Sequence, residues 1–287
     1  MTLPLMTVET HRSLIADAAN AAVRAGAEIM KIYKQSDSYD VGLKSDNSPI
    51  TVADRAAHNK IKESLRTTFI PILSEEGREM LYDERRNWDL FWLVDPLDGT
   101  VEFIKGNNEF TVNIALMQNN ICTGSVVYVP YRRKMYIGEL GGGAYFIEGV
   151  EPSENAAYAY EELAAARTPL PLKSAGSRRH PRIAVSRSHC TPETLGHIER
   201  IRRRHPDAEV VEQGSSYKFC MLAEGSVDYY VRTSTTYEWD TAAGELILSE
   251  SGGSTVALDG GRFLYNKEDL RNPWFECRAY DCRVGEF

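Results

Sequence analysis

The stretch WLVDPLDGTVEFIKGNNEF, residues 92–110, contains the pattern from which the rest of the sequence can be interpreted. It begins inside an apolar run, residues 91–94, that has the length and the aromatic and β-branched content of a buried strand. The run ends abruptly at two acids, Asp95 and Asp98. The sequence therefore predicts two carboxylates at the end of a buried strand.

A turn follows in which polar groups can converge. Pro96 fixes its own φ and Gly99 allows a sharp turn, so Asp95, Asp98 and the Thr100 hydroxyl can occupy one small volume. Two ionised carboxylates repel each other there, and a divalent cation such as Mg²⁺ would relieve the repulsion through oxygen ligands. The alternative is a turn whose aspartates only cap backbone groups.

Three more acids lie at the ends of predicted elements. Glu75 follows a short strand-like run at residues 70–73, whereas Asp54 and Asp240 are each placed like the N-cap of a helix. Capping alone could explain Asp54 and Asp240. Because helix N-termini favour anions, Glu75 and Asp240 beside the two aspartates of the opening stretch indicate a phosphate site around divalent ions.

Composition limits the classes of partner. The 287 residues are 43% hydrophobic and 26% charged, which is typical of one large or two ordinary globular domains. A net charge of −8 argues against a nucleic-acid or membrane-surface binder, although a local group of cations suffices for a small anion. We expect a small-molecule partner, no nucleic acid and no stable membrane insertion, with monomer and homodimer both open.

The N-terminal sequence and the cysteine pattern predict the cellular compartment. No signal peptide and no apolar run of transmembrane length is visible, so a cytoplasmic location is expected. The five cysteines form no CxxC pair, which favours reduced thiols and excludes a zinc site of ordinary spacing. Any metal should therefore be a hard cation bound through oxygen.

Periodicity predicts an α/β chain, of mixed α+β type, in two halves. The first half, residues 1–165, should contain helices over residues 11–33 and 54–68, and then an antiparallel meander. Its predicted strands lie at residues 112–117, 125–129, 135–137 and 144–147. The second half, residues 166–287, alternates strands with helices and should be a smaller α/β unit. Its predicted elements are strands at 182–186, 209–211 and 227–231 and helices at 192–204, 216–223 and 240–251.

Three motifs together resemble the inositol monophosphatase superfamily of lithium-sensitive, Mg²⁺-dependent phosphatases. They are LSEEG at residues 73–77, VDPLDGT at 94–100 and WDTAAGE at 239–245. SRSH at 186–189 and SSYKFCMLAEGSVDYYVR at 215–232 resemble the 3′(2′),5′-bisphosphate nucleotidase branch of that superfamily. The resemblance implies a layered α-β-α-β-α sandwich of the sugar-phosphatase type.

The resemblance also implies a metal centre with two or three Mg²⁺ ions. Its ligands would be Glu75, Asp95, the carbonyl of Leu97, Asp98 and Asp240. Asp54 and Thr100 match the pair that positions and deprotonates the attacking water, and with Glu75, Asp95 and Asp98 they form the implied catalytic set. Lys44 matches a residue on a loop that closes over the metals in relatives.

Substrate choice is implied to rest on other residues. The positions that match substrate contacts are Gly99, Thr100, Ser188, His189, Ser215, Lys218, Arg232 and Asp240. Lys218 and Arg232 would supply the counter-charge for a second phosphate, and inositol phosphatases carry an acid where Arg232 stands.

This resemblance implies removal of the 3′-phosphate from adenosine 3′,5′-bisphosphate, giving AMP and phosphate, as part of sulfur metabolism. Two alternatives stay open: an inositol or sugar monophosphate phosphatase on the same fold, and a non-catalytic nucleotide-binding regulator. An aspartyl-phosphate phosphatase is excluded because its two acids lie two residues apart, whereas Asp95 and Asp98 lie three apart.

Overall fold

The computed structural model describes residues 6–35, 41–43, 49–174, 180–261, 263–282 and 284. Lys44 lies outside the described residues. Within them, the helices are α1 (Val8–Gln35), α2 (Val52–Leu65), α3 (Tyr82–Arg85), α4 (Thr100–Ile104), α5 (Tyr160–Ala166), α6 (Pro192–Arg204), α7 (Tyr217–Ala223) and α8 (Glu238–Glu250). No helix of this part of the chain is both long enough and apolar enough to span a bilayer.

The larger sheet has seven strands in the order β3-β4-β5-β6-β7-β8-β9. They are β3 (Ile72–Ser74), β4 (Leu90–Asp98), β5 (Thr111–Gln118), β6 (Ile121–Val129), β7 (Lys134–Glu139), β8 (Gly143–Glu148) and β9 (Thr168–Pro169). Only β3 pairs in parallel, with β4, and the other neighbours are antiparallel. The predicted antiparallel meander is confirmed, and the predicted edge strand before Glu75 is β3.

The smaller sheet has five strands in the order β11-β10-β12-β14-β13. They are β10 (Arg182–Ser186), β11 (Glu209–Gln213), β12 (Tyr229–Arg232), β13 (Ser254–Ala257) and β14 (Phe275–Arg278). The first three are parallel, as the alternation of strands and helices predicted, but β14 pairs antiparallel with both β12 and β13. Outside both sheets, β1 (Val41–Leu43) pairs antiparallel with β2 (Pro49–Thr51).

Buried side chains stack these elements in five layers. Helices α1 and α2 pack on one face of the larger sheet, for example through Ile15, Ile61 and Trp92. Helices α7 and α8 cover its other face and pack in turn against the smaller sheet. Helix α6 covers the outer face of that sheet through Ile198 and Ile201. The chain therefore forms the predicted α-β-α-β-α sandwich.

Two helix starts differ from the prediction. Thr51, not Asp54, is the N-cap of α2, and α8 begins after Tyr237 rather than at Asp240. Both aspartates lie at the third helical position and accept a hydrogen bond from the N-cap N–H, which the sequence did not reveal. The division at residue 165 stays a prediction, and β9 at Thr168–Pro169 still pairs with the larger sheet.

Candidate active site

Three carboxylates meet at the carboxyl ends of β3 and β4. These strands run parallel, so Glu75, just after β3, and Asp95, within β4, lie at the same edge of the sheet, and the Glu75 N–H donates to the Val94 carbonyl at 3.1 Å. Asp240 reaches the same place from the first turn of α8. One carboxylate oxygen from each acid lies within 4.8 Å of the others. This arrangement offers hard oxygen ligands to one cation.

The fourth predicted acid, Asp98, is placed by a bulge in β4. Pairing with β5 shifts register between Asp95 and Asp98, and the Leu97 N–H donates to Asp95 Oδ1 at 3.0 Å. Asp98 Oδ2 accepts hydrogen bonds from the Ser216 N–H and, at 3.4 Å, from Asn113 Nδ2. Asp98 is therefore held from both halves of the chain.

Burial and mutual repulsion make the ionised form of these carboxylates unfavourable without a counter-ion. Burial, with the charges of Glu75 and Asp98, raises the pKa of Asp95 well above its usual value. The pKa of Asp240 is also raised well above its usual value, by burial and then by Asp98 and Glu75. A divalent cation would remove both penalties, so the donor set fits Mg²⁺.

Thr100 and Asp54 are hydrogen-bonded beside the acids. Thr100 Oγ1 donates to Asp54 Oδ1 at 2.9 Å and lies 3.3 Å from the Leu97 carbonyl. The other carboxylate oxygen, Oδ2, accepts from the Thr51 N–H at 2.7 Å and the Thr51 hydroxyl at 2.6 Å. The structure thus brings together the pair that the sequence assigned to activation of water.

Two cations face the acids. Lys218 is buried, and its Nζ donates to the carbonyls of Gln213, at 3.1 Å, and Ser215, at 2.5 Å. Burial, and then the charge of Arg232, lowers its pKa to about 8. Arg232 donates from Nη2 to the Thr235 carbonyl at 3.2 Å, while its buried Nε has no hydrogen-bond partner among the described residues. Such unused donors favour an anionic ligand.

The nearby imidazole of His189 is predominantly neutral at physiological pH. Burial lowers its pKa to about 4, with further lowering by the charges of Arg232 and Lys218. A neutral ring can donate one hydrogen bond and accept another, which suits contact with a nucleotide.

A cavity of about 550 Å³ connects the acids to the cations. The predicted site residues that line it are Glu75, Asp95, Leu97, Asp98, Gly99, Thr100, His189, Ser215, Lys218, Arg232 and Asp240. Asp54 lies behind Thr100. Ser188 is not part of the lining, because its hydroxyl donates to Glu102 Oε1 at 2.6 Å, so its contact with substrate stays a prediction.

Sequence reasoning missed two buried acids beside the cavity. Glu102 lines it from α4, and Glu109 accepts hydrogen bonds from Arg187 and from the Gly214 N–H. Both lie within the opening stretch, but single glutamates next to apolar residues are ordinarily exposed. The only signal was that Glu109 directly precedes a strand-like run.

Comparison with known proteins gives consistent matches along the chain. The profile described as "Inositol monophosphatase family" matches residues 11–274. The "3′(2′),5′-bisphosphate nucleotidase CysQ" of Escherichia coli strain K12 is 37% identical over 262 residues, covering 90% of this chain and 97% of that protein.

Solved structures agree. A crystal structure of CysQ from Bacteroides thetaiotaomicron, described as a bacterial member of the inositol monophosphatase family, superposes with a TM-score of 0.83. It is 43% identical, with coverage of 93% of this chain and 97% of that one. An inositol monophosphatase from Thermotoga maritima shares the fold, with a TM-score of 0.70, at 22% identity over 91% of this chain and 90% of that one.

Proposed function

Because the chain belongs to the inositol monophosphatase family, we propose that it is a Mg²⁺-dependent phosphatase that removes the 3′-phosphate of adenosine 3′,5′-bisphosphate. The products would be AMP and inorganic phosphate. The nucleotidases of the CysQ group, to which the chain is similar over 90% of its length, support this choice of substrate.

The observation that carries the proposal is one cavity with acids at one side and buried cations at the other. Glu75, Asp95 and Asp240 supply the acidic side, and Lys218 and Arg232 supply the cationic side. A phosphate monoester with one phosphate needs only the first side. A substrate with two phosphates uses both.

On the acidic side, Glu75, Asp95, Asp98, Asp240 and the Leu97 carbonyl would hold Mg²⁺. Bound there, Mg²⁺ supplies positive charge that polarises the phosphate and lowers the pKa of a coordinated water. The number of ions, two or three, is part of the proposal.

Thr100 and Asp54 would orient the attacking water and take its proton. With its hydrogen donated to Asp54 Oδ1, the Thr100 oxygen can accept a hydrogen bond from water. Asp54 can then receive the proton through the hydroxyl, while Thr51 keeps the carboxylate in place. Attack by the water oxygen forms a bond to phosphorus and breaks the bond from phosphorus to the ribose 3′-oxygen. That oxygen takes up a proton from solvent and leaves as the 3′-hydroxyl, and Asp54 gives its proton back to solvent.

On the cationic side, Lys218 and Arg232 would bind the 5′-phosphate. Arg232 still has a buried Nε–H to donate, and Lys218 donates to two neutral carbonyls rather than to a carboxylate. His189 and Ser215 line the same side and would contact the nucleoside.

The experiment compares wild type with Arg232→Gln on adenosine 3′,5′-bisphosphate and on adenosine 3′-monophosphate, which lacks the second phosphate. We expect kcat/KM for the bisphosphate to fall at least roughly 30-fold in the variant, since loss of one buried charged partner costs about 2–5 kcal/mol. Activity on the monophosphate should change less than about threefold. Phosphorus NMR should identify the product of the wild type as the 5′-monophosphate.

Equal losses on both substrates would contradict the role of Arg232. A 3′-monophosphate product, or undiminished activity in EDTA, would contradict the proposed reaction itself.

A further inference from the structure

We propose that Arg187 and Glu109 are positioning residues that hold the turn of residues 213–216 in the place required by both the metal side and the phosphate side. That the pair holds the turn is inferred from the contacts of the described residues. That its loss impairs hydrolysis of the bisphosphate rests on the proposed function.

Arg187 and Glu109 form a bidentate pair across the two sheets. Arg187, just after β10, donates from Nε to Glu109 Oε2 at 2.9 Å and from Nη2 to Glu109 Oε1 at 2.8 Å. Glu109, two residues before β5, is only 8% exposed. Two parallel hydrogen bonds of this kind fix orientation as well as distance. The smaller sheet is thus tied to the larger one at the edge of the cavity.

The same carboxylate holds the turn. Glu109 Oε2 also accepts from the Gly214 N–H at 2.8 Å. Burial alone would raise the pKa of Glu109, but the hydrogen bonds from Arg187 and Gly214 hold that pKa below its usual value. Glu109 therefore stays ionised and keeps both partners.

The turn then contacts both sides of the site. Ser215 adopts a left-handed conformation, with φ of 56°, and the next N–H, that of Ser216, donates to Asp98 Oδ2. Lys218 Nζ donates to the carbonyls of Gln213 and Ser215. A shift of this turn would disturb an acid of the metal side and a cation of the phosphate side together.

The turn has little room to find another position. A Cβ at Gly214 would come within 2.4 Å of Glu102 Cγ and 3.1 Å of the Glu109 carbonyl oxygen. The segment is pressed against the first half of the chain, and Glu109 supplies a directional contact to it there. Removal of the pair should therefore leave the packing around Gly214 in place but no longer fix the orientation of the N–H and C=O groups of the turn.

The experiment measures Mg²⁺ binding to the metal-free full-length protein by isothermal titration calorimetry, in wild type, Arg187→Ala, Glu109→Gln and the double variant. Steady-state kinetics with adenosine 3′,5′-bisphosphate follow on the same samples. Glu212→Gln is the matched control, because it removes the charge that the exposed Glu212 carboxylate presents to Arg187 Nη1 and leaves the Glu109 pair intact.

We expect each single variant to weaken Mg²⁺ binding roughly 10-fold or more, which is the usual cost of losing a group that orients a metal ligand. KM for the bisphosphate should rise with it. The double variant should bind Mg²⁺ no more weakly than the single variant with the lower affinity, because the two residues act as one unit. Glu212→Gln should stay within about twofold of wild type.

Mg²⁺ affinity within about twofold of wild type in both single variants would overturn the inference, and so would equal effects of Arg187→Ala and Glu212→Gln.

If circular dichroism shows that Arg187→Ala does not fold, Arg187→Lys provides the test. This variant keeps the charge but not the bidentate geometry, and Mg²⁺ binding between those of wild type and Glu109→Gln supports the inference. Mg²⁺ binding by Arg187→Lys equal to that of wild type overturns it.

Calorimetry measures Mg²⁺ binding without turnover. A wild type that is inactive on the bisphosphate would therefore refute the proposed function, while the Mg²⁺ affinities of the variants would still test the positioning role.

Discussion

Asp54 and Asp240 each contact the start of a helix and belong to the site. In both, Oδ2 accepts the N–H of the N-cap residue, Thr51 at 2.7 Å and Tyr237 at 2.8 Å. In Asp54 the remaining oxygen, Oδ1, accepts from Thr100. The sequence predicted that these acids belong to helix starts and to the site. It could not predict the register of α8, because Tyr237 is not a residue that ordinarily caps a helix. At α2, Thr51 and Asp54 are both ordinary capping residues, so the sequence did not decide between them.

Asp95→Asn tests the central acid of the cluster. We expect kcat to fall at least roughly a hundredfold, since loss of one preorganised charged group of an active site typically costs that much. The metal-free variant should melt no lower than wild type, because the substitution removes a buried charge that Glu75 and Asp98 repel. Phosphate release and circular dichroism measure the two effects. Asp89→Asn, an exposed acid just before β4, is the control, and near-normal turnover in Asp95→Asn would refute its role.

Lys218 gives a prediction for the pH dependence. Its pKa is lowered to about 8, by burial and Arg232, against the opposing charges of Asp98 and Glu102. A lowered lysine pKa means that the cation is present below that pH and is lost above it. KM for the bisphosphate should therefore rise several-fold between about pH 7 and pH 9, while KM for adenosine 3′-monophosphate stays flat. An equal rise of KM with pH in Lys218→Met would contradict the assignment of this pH dependence to Lys218.

Strand β4 and the turn after it place most of the acidic side. The sequence predicted that the strand ends before Asp95, whereas β4 continues to Asp98 through a bulge. That bulge could not be read from the sequence, because it depends on pairing with β5. Likewise β13 and β14 were missed, since each has only four residues, too few for an alternating pattern to stand out.

Gly99→Ala tests the close approach of this turn to its neighbours. Gly99 has φ of 94°, and a Cβ there would lie 2.8 Å from the Glu109 carbonyl oxygen. Gly149, with φ of 76°, has nothing within 4 Å of such a Cβ, so Gly149→Ala reports the left-handed strain alone. We expect about 1–2 kcal/mol loss of unfolding free energy in the control and about 1–3 kcal/mol more in Gly99→Ala. Urea unfolding measures both variants. Equal losses of unfolding free energy in Gly99→Ala and Gly149→Ala would show that the contact with the Glu109 carbonyl does not affect stability.

Across the chain, the site depends on both halves. Glu75 follows β3 and Asp95 and Asp98 lie on β4 of the larger sheet, whereas Asp240, Lys218 and Arg232 lie on α8, α7 and β12. The resemblance of the motifs implied the layers, which the structure confirms, and these site residues, whose roles stay predictions, as does the division into halves. The sequence did not predict what joins the halves, since long-range pairs such as Arg187 with Glu109 have no local pattern.

Mg²⁺ should therefore stabilise the folded chain as a whole. A ligand at 100 times its dissociation constant adds about 2.7 kcal/mol to the free energy of unfolding. We expect the melting temperature of wild type to rise by several degrees with Mg²⁺ and that of Asp240→Asn to rise little. Differential scanning calorimetry measures both, and an identical rise in the variant would place the metal elsewhere.

The most direct test of the whole account is phosphate release by wild type from adenosine 3′,5′-bisphosphate and from inositol 1-phosphate, each with Mg²⁺ and with EDTA. The account predicts Mg²⁺-dependent release, with kcat/KM at least roughly tenfold higher for the bisphosphate, because only that substrate engages Lys218 and Arg232. Equal or faster hydrolysis of inositol 1-phosphate, or no release from the bisphosphate in Mg²⁺, would contradict it.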